Sequence, residues 1–232
     1  MVFLVLFSVV LVAVLSDAAN VLGFAPTFAQ EAKVSGPALI LPEAALPMSG
    51  PVLEATSTAD MSSLDRDILA LAKAAAGEVS QVLESAIDRG LKSEEEIFST
   101  LYFPITPSTS PRTFSTFYDD YTDQFVTPIE DRYLAMNRSI VFVVLVDRNG
   151  YLPSHNSRFS QPRTGNLEQD LKSNRTKRVF NDLTGFRAAK NREEFLLQVY
   201  RRDTGELMKD LSVPVTVRGK RWGALRMGYA NE

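Results

Sequence analysis

The chain contains a single histidine, His155, and histidine is the side chain best suited to change its charge near neutral pH. It lies in the segment NGYLPSHNSRFSQPRTGN, residues 149–166, between a turn signal and a run rich in proline, glycine and serine. Two interpretations are open. Either His155 and its neighbour Asn156 form the rim of a binding pocket, or His155 is a loop histidine that bonds to the backbone.

No catalytic constellation accompanies this histidine. The sequence has no G-x-S-x-G nucleophile turn, no glycine-rich phosphate loop and no HExxH pair. Ser154 precedes His155, but no acidic residue stands at a recognisable spacing that would complete a triad. We therefore predict that the protein is not an enzyme, and a hydrolase centred on His155 is kept only as a third hypothesis.

Arginines are the second source of binding chemistry. The segment NRTKR, residues 174–178, contributes Arg175, Lys177 and Arg178. Because the planar guanidinium group pairs bidentately with a carboxylate or a phosphate, this segment predicts an anion site. The alternative is the capped start of a helix whose charges are solvated.

Arg226 lies in a predicted strand, residues 222–229, in which successive side chains face opposite sides of the sheet. The alternation places Arg226 on the same face as Trp222, among apolar side chains. A buried guanidinium without a partner is costly. Arg226 must therefore pair with a carboxylate, either Asp210 or Asp182, or with an anionic ligand.

Composition narrows the remaining chemistry. The absence of cysteine excludes disulfides and thiolate catalysis, and one histidine argues against a zinc or haem site. We predict no cofactor and no metal. Residues 138–232 hold 18 Lys or Arg against 10 Asp or Glu, and the rest of the chain holds 7 against 18. The basic part is either a binding surface or a face that neutralises an acidic neighbour.

The amino-terminal residues predict a targeting segment. Residues 2–15 are apolar except for Ser8, which is too short a run for a spanning helix, and Thr27, Phe28 and Ala29 have the small-x-Ala form of a cleavage site. Residues 1–29 are thus a predicted signal peptide, and the mature protein is periplasmic or secreted. No Lys or Arg precedes the run, so an uncleaved anchor in the inner membrane is the alternative. Residues 30–60, with four prolines, predict a flexible linker.

Helical spacing predicts the first half of the folded part, residues 61–232. Apolar residues recur with helical period over residues 62–89, and Gly90 ends this long helix. Ser93 and Glu96 form a capping box for a short helix to about residue 102. A loop follows, and then a helix over residues 114–137 that is interrupted near Pro128.

The second half predicts a sheet. The apolar residues 140–146 predict a strand that is covered on both faces. Asn149–Gly150 predicts a type I′ turn into a second strand over residues 151–153. Residues 162–190 are predicted to contain loops and short helices. The remaining strands are predicted over residues 195–201, 206–217 with a bulge at Pro214, and 222–229 after a type II′ turn at Gly219–Lys220. The order predicts an α+β fold with a five-stranded antiparallel sheet, a long N-terminal helix and a helical insert.

Four segments carry a resemblance to a known family: NGYLPSHNSRFSQPRTGN, NRTKRVFNDLTG, FLLQVYRRDTGELMKDLSVPVTV and GKRWGALRMGY. Together they resemble the Cache/PAS-like sensory domain of bacterial methyl-accepting chemotaxis proteins, over roughly residues 115–229. The chain departs from the expected pattern at Leu183, where arginine is expected, and at Lys209 and Arg221, where histidines are expected.

The resemblance implies a PAS/Cache-like fold and a sensory function. With the strand pattern, it leads us to predict a ligand site formed by His155, Asn156, Arg178, Tyr200, Asp210, Trp222 and Arg226. The predicted protein is a non-catalytic, extracytoplasmic sensory module of a chemotaxis or related signal-transduction system. Its expected partners are a small molecule, with an anion as one candidate, and a membrane receptor or sensor kinase, without nucleic acid. The alternative is a structural module of the same fold that binds a protein partner and no small ligand.

Overall fold

A computed structural model describes residues 53–55, 57–106, 110–180, 182–201 and 207–230. The predicted signal peptide and most of the predicted linker, residues 30–60, lie outside these ranges. At its carboxyl end the linker prediction is wrong, because Leu53–Ala55 pairs with the main sheet as strand β1. The folded domain therefore includes residues before its predicted start at residue 61.

The described elements come in runs of helices and runs of strands, as in an α+β fold. The helices are α1 (Ser63–Asp88), α2 (Glu94–Ile97), α3 (Asp119–Phe125), α4 (Thr127–Met136), α5 (Leu167–Ser173) and α6 (Leu183–Lys190). Besides β1, the strands are β2 (Phe103–Pro104), β3 (Phe114–Ser115), β4 (Ile140–Asp147), β5 (Leu196–Arg201), β6 (Leu207–Val217) and β7 (Lys220–Ala230). None of the described helices combines the length and apolarity needed to cross a membrane.

The main sheet is antiparallel with the order β1-β5-β6-β7-β4. The α+β class and the four predicted strands that correspond to β4, β5, β6 and β7 are confirmed. The predicted strand over residues 151–153 is wrong, so the sheet does not have the predicted set of five strands. Instead, Tyr151 bridges Val179, and the Leu152 amide donates to the Arg178 carbonyl at 2.9 Å.

Side chains occupy the outer edge of β4 in place of a neighbouring strand. The Val143 amide donates to Asn156 Oδ1 at 2.8 Å, and the Leu145 amide donates to Glu130 Oε1 at 2.8 Å. The Asp147 amide donates to the Tyr151 carbonyl at 2.9 Å. Because buried amides must find acceptors, these contacts explain why residues 151–153 leave β4 after a single hydrogen bond.

Neither of the two hairpin turns has the type predicted for it. At the first, only Gly150 has a positive φ, of 80°, so the type I′ prediction at Asn149–Gly150 is wrong. A Cβ at Gly150 would lie 2.4 Å from the Phe180 carbonyl oxygen, so the close approach also requires glycine. At the second, Arg218 and Gly219 have φ values of 49° and 71°, which is the type I′ pattern of two consecutive positive angles.

The long helix α1 covers one face of the sheet by packing against β6 and β7. Its start is fixed by a capping box in which Ser62 and Asp65 bond reciprocally to each other's amides, at 2.9 and 3.1 Å. Its core-facing residues recur at helical spacing: Ile68, Ala72, Ala75, Val79 and Leu83, all buried. Burial of one large apolar side chain contributes about 1.5–3 kcal/mol, so this face supplies much of the core.

A polar contact anchors the first turn of α1 to the sheet. Asp65 accepts Lys209 Nζ at 2.9 Å and the Tyr229 hydroxyl at 2.7 Å. Burial by itself would raise the pKa of Asp65. The hydrogen bonds from Lys209, Tyr229 and Ser62 outweigh burial and lower that pKa to about 2. Lys209, which departs from the family pattern, thus holds a structural position on the face opposite the insert.

Between α1 and β4 the predicted helices are shorter than expected. The capping box at Ser93 is confirmed, but α2 ends at Ile97, because residues 98–105 lead into the two-residue strand β2. Phe114 pairs with Pro104 in β3 instead of starting a helix. Pro128 lies in the first turn of α4, where its missing amide costs no hydrogen bond, so the predicted interruption separates α3 from α4.

Candidate functional site

A cavity of about 430 Å³ lies over the face of the sheet that α1 does not cover. Its floor consists of Phe142 and Val144 from β4, Arg226 from β7, and Tyr200 and Arg201 from β5. Gly228 in β7 helps to shape this floor, because a Cβ there would lie 2.1 Å from Phe142 Cε1. Glycine therefore allows the Phe142 ring to lie across the neighbouring strand.

The walls come from the insert between β4 and β5. Leu152, His155 and Phe159 line the cavity from the segment that follows the first turn. The segment around α5 and the start of α6 supplies the rest: Leu171, Arg175, Arg178, Phe180, Asp182 and Leu183. The size is typical of small-molecule sites, and the wall combines aromatic rings with guanidinium groups.

Arg226 is both a cavity residue and a member of an internal ion pair. Its Nη2 and Nε donate to Asp210 Oδ2 at 2.7 and 3.1 Å. Burial lowers the pKa of Arg226, but the Asp210 carboxylate more than offsets this and raises that pKa above its ordinary value. The internal salt bridge predicted as one of the two alternatives is confirmed, with Asp210 as the partner.

His155 is 3% exposed and lies in an aromatic wall with Phe142 and Phe159, whose ring centroids are 6.4 and 4.9 Å from its own. Burial, followed by the positive charges of Arg175 and Arg158, holds the pKa of His155 well below its ordinary value. The ring is therefore neutral at neutral pH. Its Nδ1 is buried without a hydrogen-bond partner in the described part of the chain.

Arg178 and Arg175 both lie over the ring of Phe180, with Cζ 5.0 and 5.2 Å from its centroid. Stacking on an aromatic face leaves the in-plane donors of a guanidinium available for an acceptor. Arg175 has interaction partners of its own, whereas Nη1 of Arg178 is buried and has no partner among the described residues. Burial, then the charges of Arg175 and Arg163, lowers the pKa of Arg178 to about 10, so it stays positive at neutral pH.

The structure brings together four of the seven predicted site residues. His155, Arg178, Tyr200 and Arg226 line the cavity, and Asp210 lies behind Arg226. Asn156 lies instead at the β4 edge, where it also donates to Asp131 at 3.4 Å.

The seventh predicted residue, Trp222, lies on the opposite face of the sheet. Its Nε1 donates to the Ile97 carbonyl at 2.7 Å, and its ring contacts Tyr118 edge-on at 5.4 Å. The prediction that Trp222 and Arg226 share a face is wrong, because the register of β6 and β7 shifts between Val215 and Thr216. One extra residue in a strand reverses the side-chain alternation beyond it.

Phe180, Asp182 and the cavity floor at Phe142 were not among the predicted site residues. Phe142 and Val144 alternate in β4 on the cavity side, but a strand that is apolar at every position does not reveal which side faces a ligand. Phe180 and Asp182 follow the arginines of NRTKR closely, and that proximity was the available signal for both residues.

The side chains at and near the cavity supply groups that can bind a ligand. Ser154 donates its hydroxyl to Glu130 Oε1 at 3.0 Å, so it is engaged at the β4 edge. Across the described residues, no three His, Asp or Glu side chains converge as metal ligands would. What the cavity offers is an aromatic wall, a neutral histidine and a buried guanidinium donor that lacks an acceptor within the described part of the chain.

No protein-family model matches the chain, and no curated protein matches it significantly in sequence. Among solved structures, an extracellular ligand binding receptor from Desulfohalobium retbaense DSM5692 is 15% identical, over 68% of this chain and 24% of that chain, with a TM-score of 0.33. The ligand-binding domain of the Campylobacter jejuni chemoreceptor Tlp3, in complex with L-valine, is 13% identical, over 71% and 59%, with a TM-score of 0.34.

A second structure of Tlp3, its sensory domain, is 13% identical, over 71% of this chain and 60% of that chain, with a TM-score of 0.33. The chain therefore spans between a quarter and three fifths of the length of these proteins. With TM-scores of 0.33 and 0.34, these similarities do not establish what the chain binds, and the evidence for a ligand is the geometry of the cavity.

Proposed function

We propose that this domain is a non-catalytic sensory module that binds a small anion in the cavity between the sheet and the insert. The observation that carries the proposal is the Arg178 guanidinium, which lines the cavity and has a buried Nη1 without an acceptor among the residues that the structure describes. An unsatisfied buried donor is costly and uncommon in folded proteins. A carboxylate supplied by a ligand would satisfy it and would also offset the cluster of positive charges around it.

The proposal extends to the position of the module in the cell. We propose that the domain works outside the cytoplasm, after export directed by residues 1–29, and that a membrane receptor or sensor kinase reads its ligand state. The support for export is the short apolar run and the small-x-Ala pattern of the sequence.

A thermal-shift screen of the full chain tests the binding proposal. Each carboxylate, such as acetate, benzoate, succinate and glutamate, is compared with its uncharged amide. A bound anion stabilises the folded state by mass action, by about 2.7 kcal/mol at 100 times the dissociation constant. We expect at least one carboxylate, and not its amide, to raise the melting temperature.

Arg178→Gln is the diagnostic variant, and Arg192→Gln is its control, because Arg192 is exposed and does not line the cavity. Loss of a charge-assisted contact should cost roughly 1.5–3 kcal/mol of binding free energy in the first variant and nothing in the second. If no anion stabilises the wild type, the protein-binding alternative is favoured. Equal binding by both variants would show that the anion binds elsewhere.

A further inference from the structure

The charges around the cavity indicate how many negative charges a ligand can carry. Arg226 is already neutralised by Asp210 through three hydrogen bonds between the two side chains. Arg175 and Arg201 have partners of their own. Among the described cavity residues, the guanidinium nitrogen that is buried without an acceptor is Nη1 of Arg178. The cavity therefore needs one carboxylate from a ligand, as the acceptor for Arg178 Nη1.

A carboxylate of the protein opposes a second negative charge. Asp182 lines the cavity, and its Oδ1 accepts the Gly185 amide at 3.0 Å, which fixes the side chain as the N-cap of α6. Its charge reaches the ion pair. Burial is the main cause that raises the pKa of Asp210, and Asp182 adds to it; burial lowers and Asp210 raises the pKa of Arg226, and Asp182 adds to the rise. A dianion would place its second charge in the field of this fixed carboxylate.

The rest of the wall favours a flat apolar body. Phe142, His155 and Phe159 form a continuous row of rings, and the neutral imidazole adds no charge to it. Leu152 and Val144 extend the apolar surface. Edge-to-face and offset contacts between rings contribute beyond the area they bury, so an aromatic ring gains more from this wall than a saturated ring does.

We propose that the cavity is built for a compact aromatic monocarboxylate, with its carboxylate at Arg178 and its ring against Phe142, His155 and Phe159, and that Asp182 excludes a second negative charge. This inference rests on the proposed anion-binding function and names the ligand class of that site. It also gives Asp182 a specificity role beyond its helix cap.

Calorimetric titration of the full chain with four probes tests the ligand class. Benzoate is compared with benzamide, which lacks the charge, with cyclohexanecarboxylate, which lacks the flat ring, and with phthalate, which adds a second carboxylate. We expect benzoate to bind several-fold more tightly than cyclohexanecarboxylate and about tenfold or more tightly than phthalate, and benzamide not to bind.

Asp182→Asn tests the specificity role without disturbing the fold, because asparagine caps a helix as well as aspartate does. The benzoate-to-phthalate preference should fall about fivefold or more in this variant, through tighter phthalate binding. If phthalate or succinate binds the wild type more tightly than benzoate, the ligand class is wrong while the anion-sensing function stands. An unchanged preference in Asp182→Asn would overturn the role of Asp182. Absence of binding by any carboxylate would overturn both proposals.

Discussion

Arg226 forms the internal salt bridge that was one of the two sequence-based hypotheses for this residue. It was expected either to form an internal salt bridge or to meet an anionic ligand, and it bonds to Asp210 while its side chain still lines the cavity. The pair leaves the guanidinium 8% and the carboxylate 0% exposed. An ion pair this deeply buried is sensitive to the loss of either partner, because the remaining charge has no water to stabilise it.

Removal of one partner should therefore destabilise the domain strongly. We expect Arg226→Met or Asp210→Asn to lower the free energy of unfolding by about 3–5 kcal/mol, measured by urea denaturation. The double variant Asp210→Leu/Arg226→Met should recover most of this loss, since apolar side chains can replace a buried pair. Lys172→Met, which breaks the exposed pair with Glu168, is the control and should leave the midpoint unchanged. Single variants as stable as the wild type would contradict the buried-pair interpretation.

At the scale of elements, α4 and the segment after the first turn hold β4 in place through Glu130. Its Oε1 accepts the Leu145 amide and the Ser154 hydroxyl, while its Oε2 is buried without a partner among the described residues. Burial raises the pKa of Glu130 to about 8, although the hydrogen bonds from Leu145 and Ser154 lower it. The carboxyl group that joins these elements is therefore mostly protonated at neutral pH.

This raised pKa predicts a stability that falls with rising pH. The folded state keeps the proton up to about pH 8, while the unfolded chain releases it near 4.5, so the folded state binds more protons between these values. Stability should fall by up to about 1.4 kcal/mol per pH unit within this window. Glu130→Gln keeps the acceptor oxygen and cannot titrate, so the difference between wild type and variant isolates the effect.

Urea denaturation at intervals from pH 5 to pH 9 provides the measurement. We expect the Glu130→Gln protein to gain stability relative to the wild type as pH rises, and the gain to level off above about pH 8. A constant difference across the range would show that Glu130 titrates normally in the folded state. Ser154→Ala, which removes one donor to the same oxygen, should keep the fall of stability with rising pH and extend it to higher pH, because the hydrogen bond from Ser154 lowers the pKa of Glu130.

For the whole molecule, periodicity in the sequence predicted the elements well and their junctions less well. The helix α1 and strands β4 to β7 follow from sustained apolar patterns with clear capping and turn residues. The short β1 has three residues and no pattern of its own, since it exists only through pairing with β5. Turn types and the shift at Val215 depend on backbone angles that residue types alone do not determine.

The candidate site was predicted in part for the same reasons. Residue type alone identifies three candidate binding residues, Arg226, Arg178 and His155, and the structure brings all three to one cavity. Trp222 was misplaced because a single extra residue in β7 reverses the faces of the strand. Phe142, as one apolar residue in an apolar strand, carries no signal that separates a cavity floor from a core.

Export of the chain is a prediction for the molecule as a whole. If residues 1–29 are a signal peptide, expression of the full chain in a Gram-negative bacterium should release a periplasmic protein that begins at Gln30, because the small-x-Ala pattern ends at Ala29. Intact-mass measurement of the periplasmic fraction checks this directly. Recovery of a chain that retains Met1 in the membrane fraction would instead support the uncleaved anchor.

The hydrogen bonds at the outer edge of β4 affect whether another polypeptide can pair with this strand. A strand edge with open amides is a template on which a second polypeptide can add itself, and it is a common starting point for self-association. Here two of the outward amides of β4 are occupied by Asn156 and Glu130, and a third is occupied by the Tyr151 carbonyl. Two side chains and one backbone carbonyl thus close this border without extending the sheet, so a partner that approaches from that side finds no amides of these three residues to pair with.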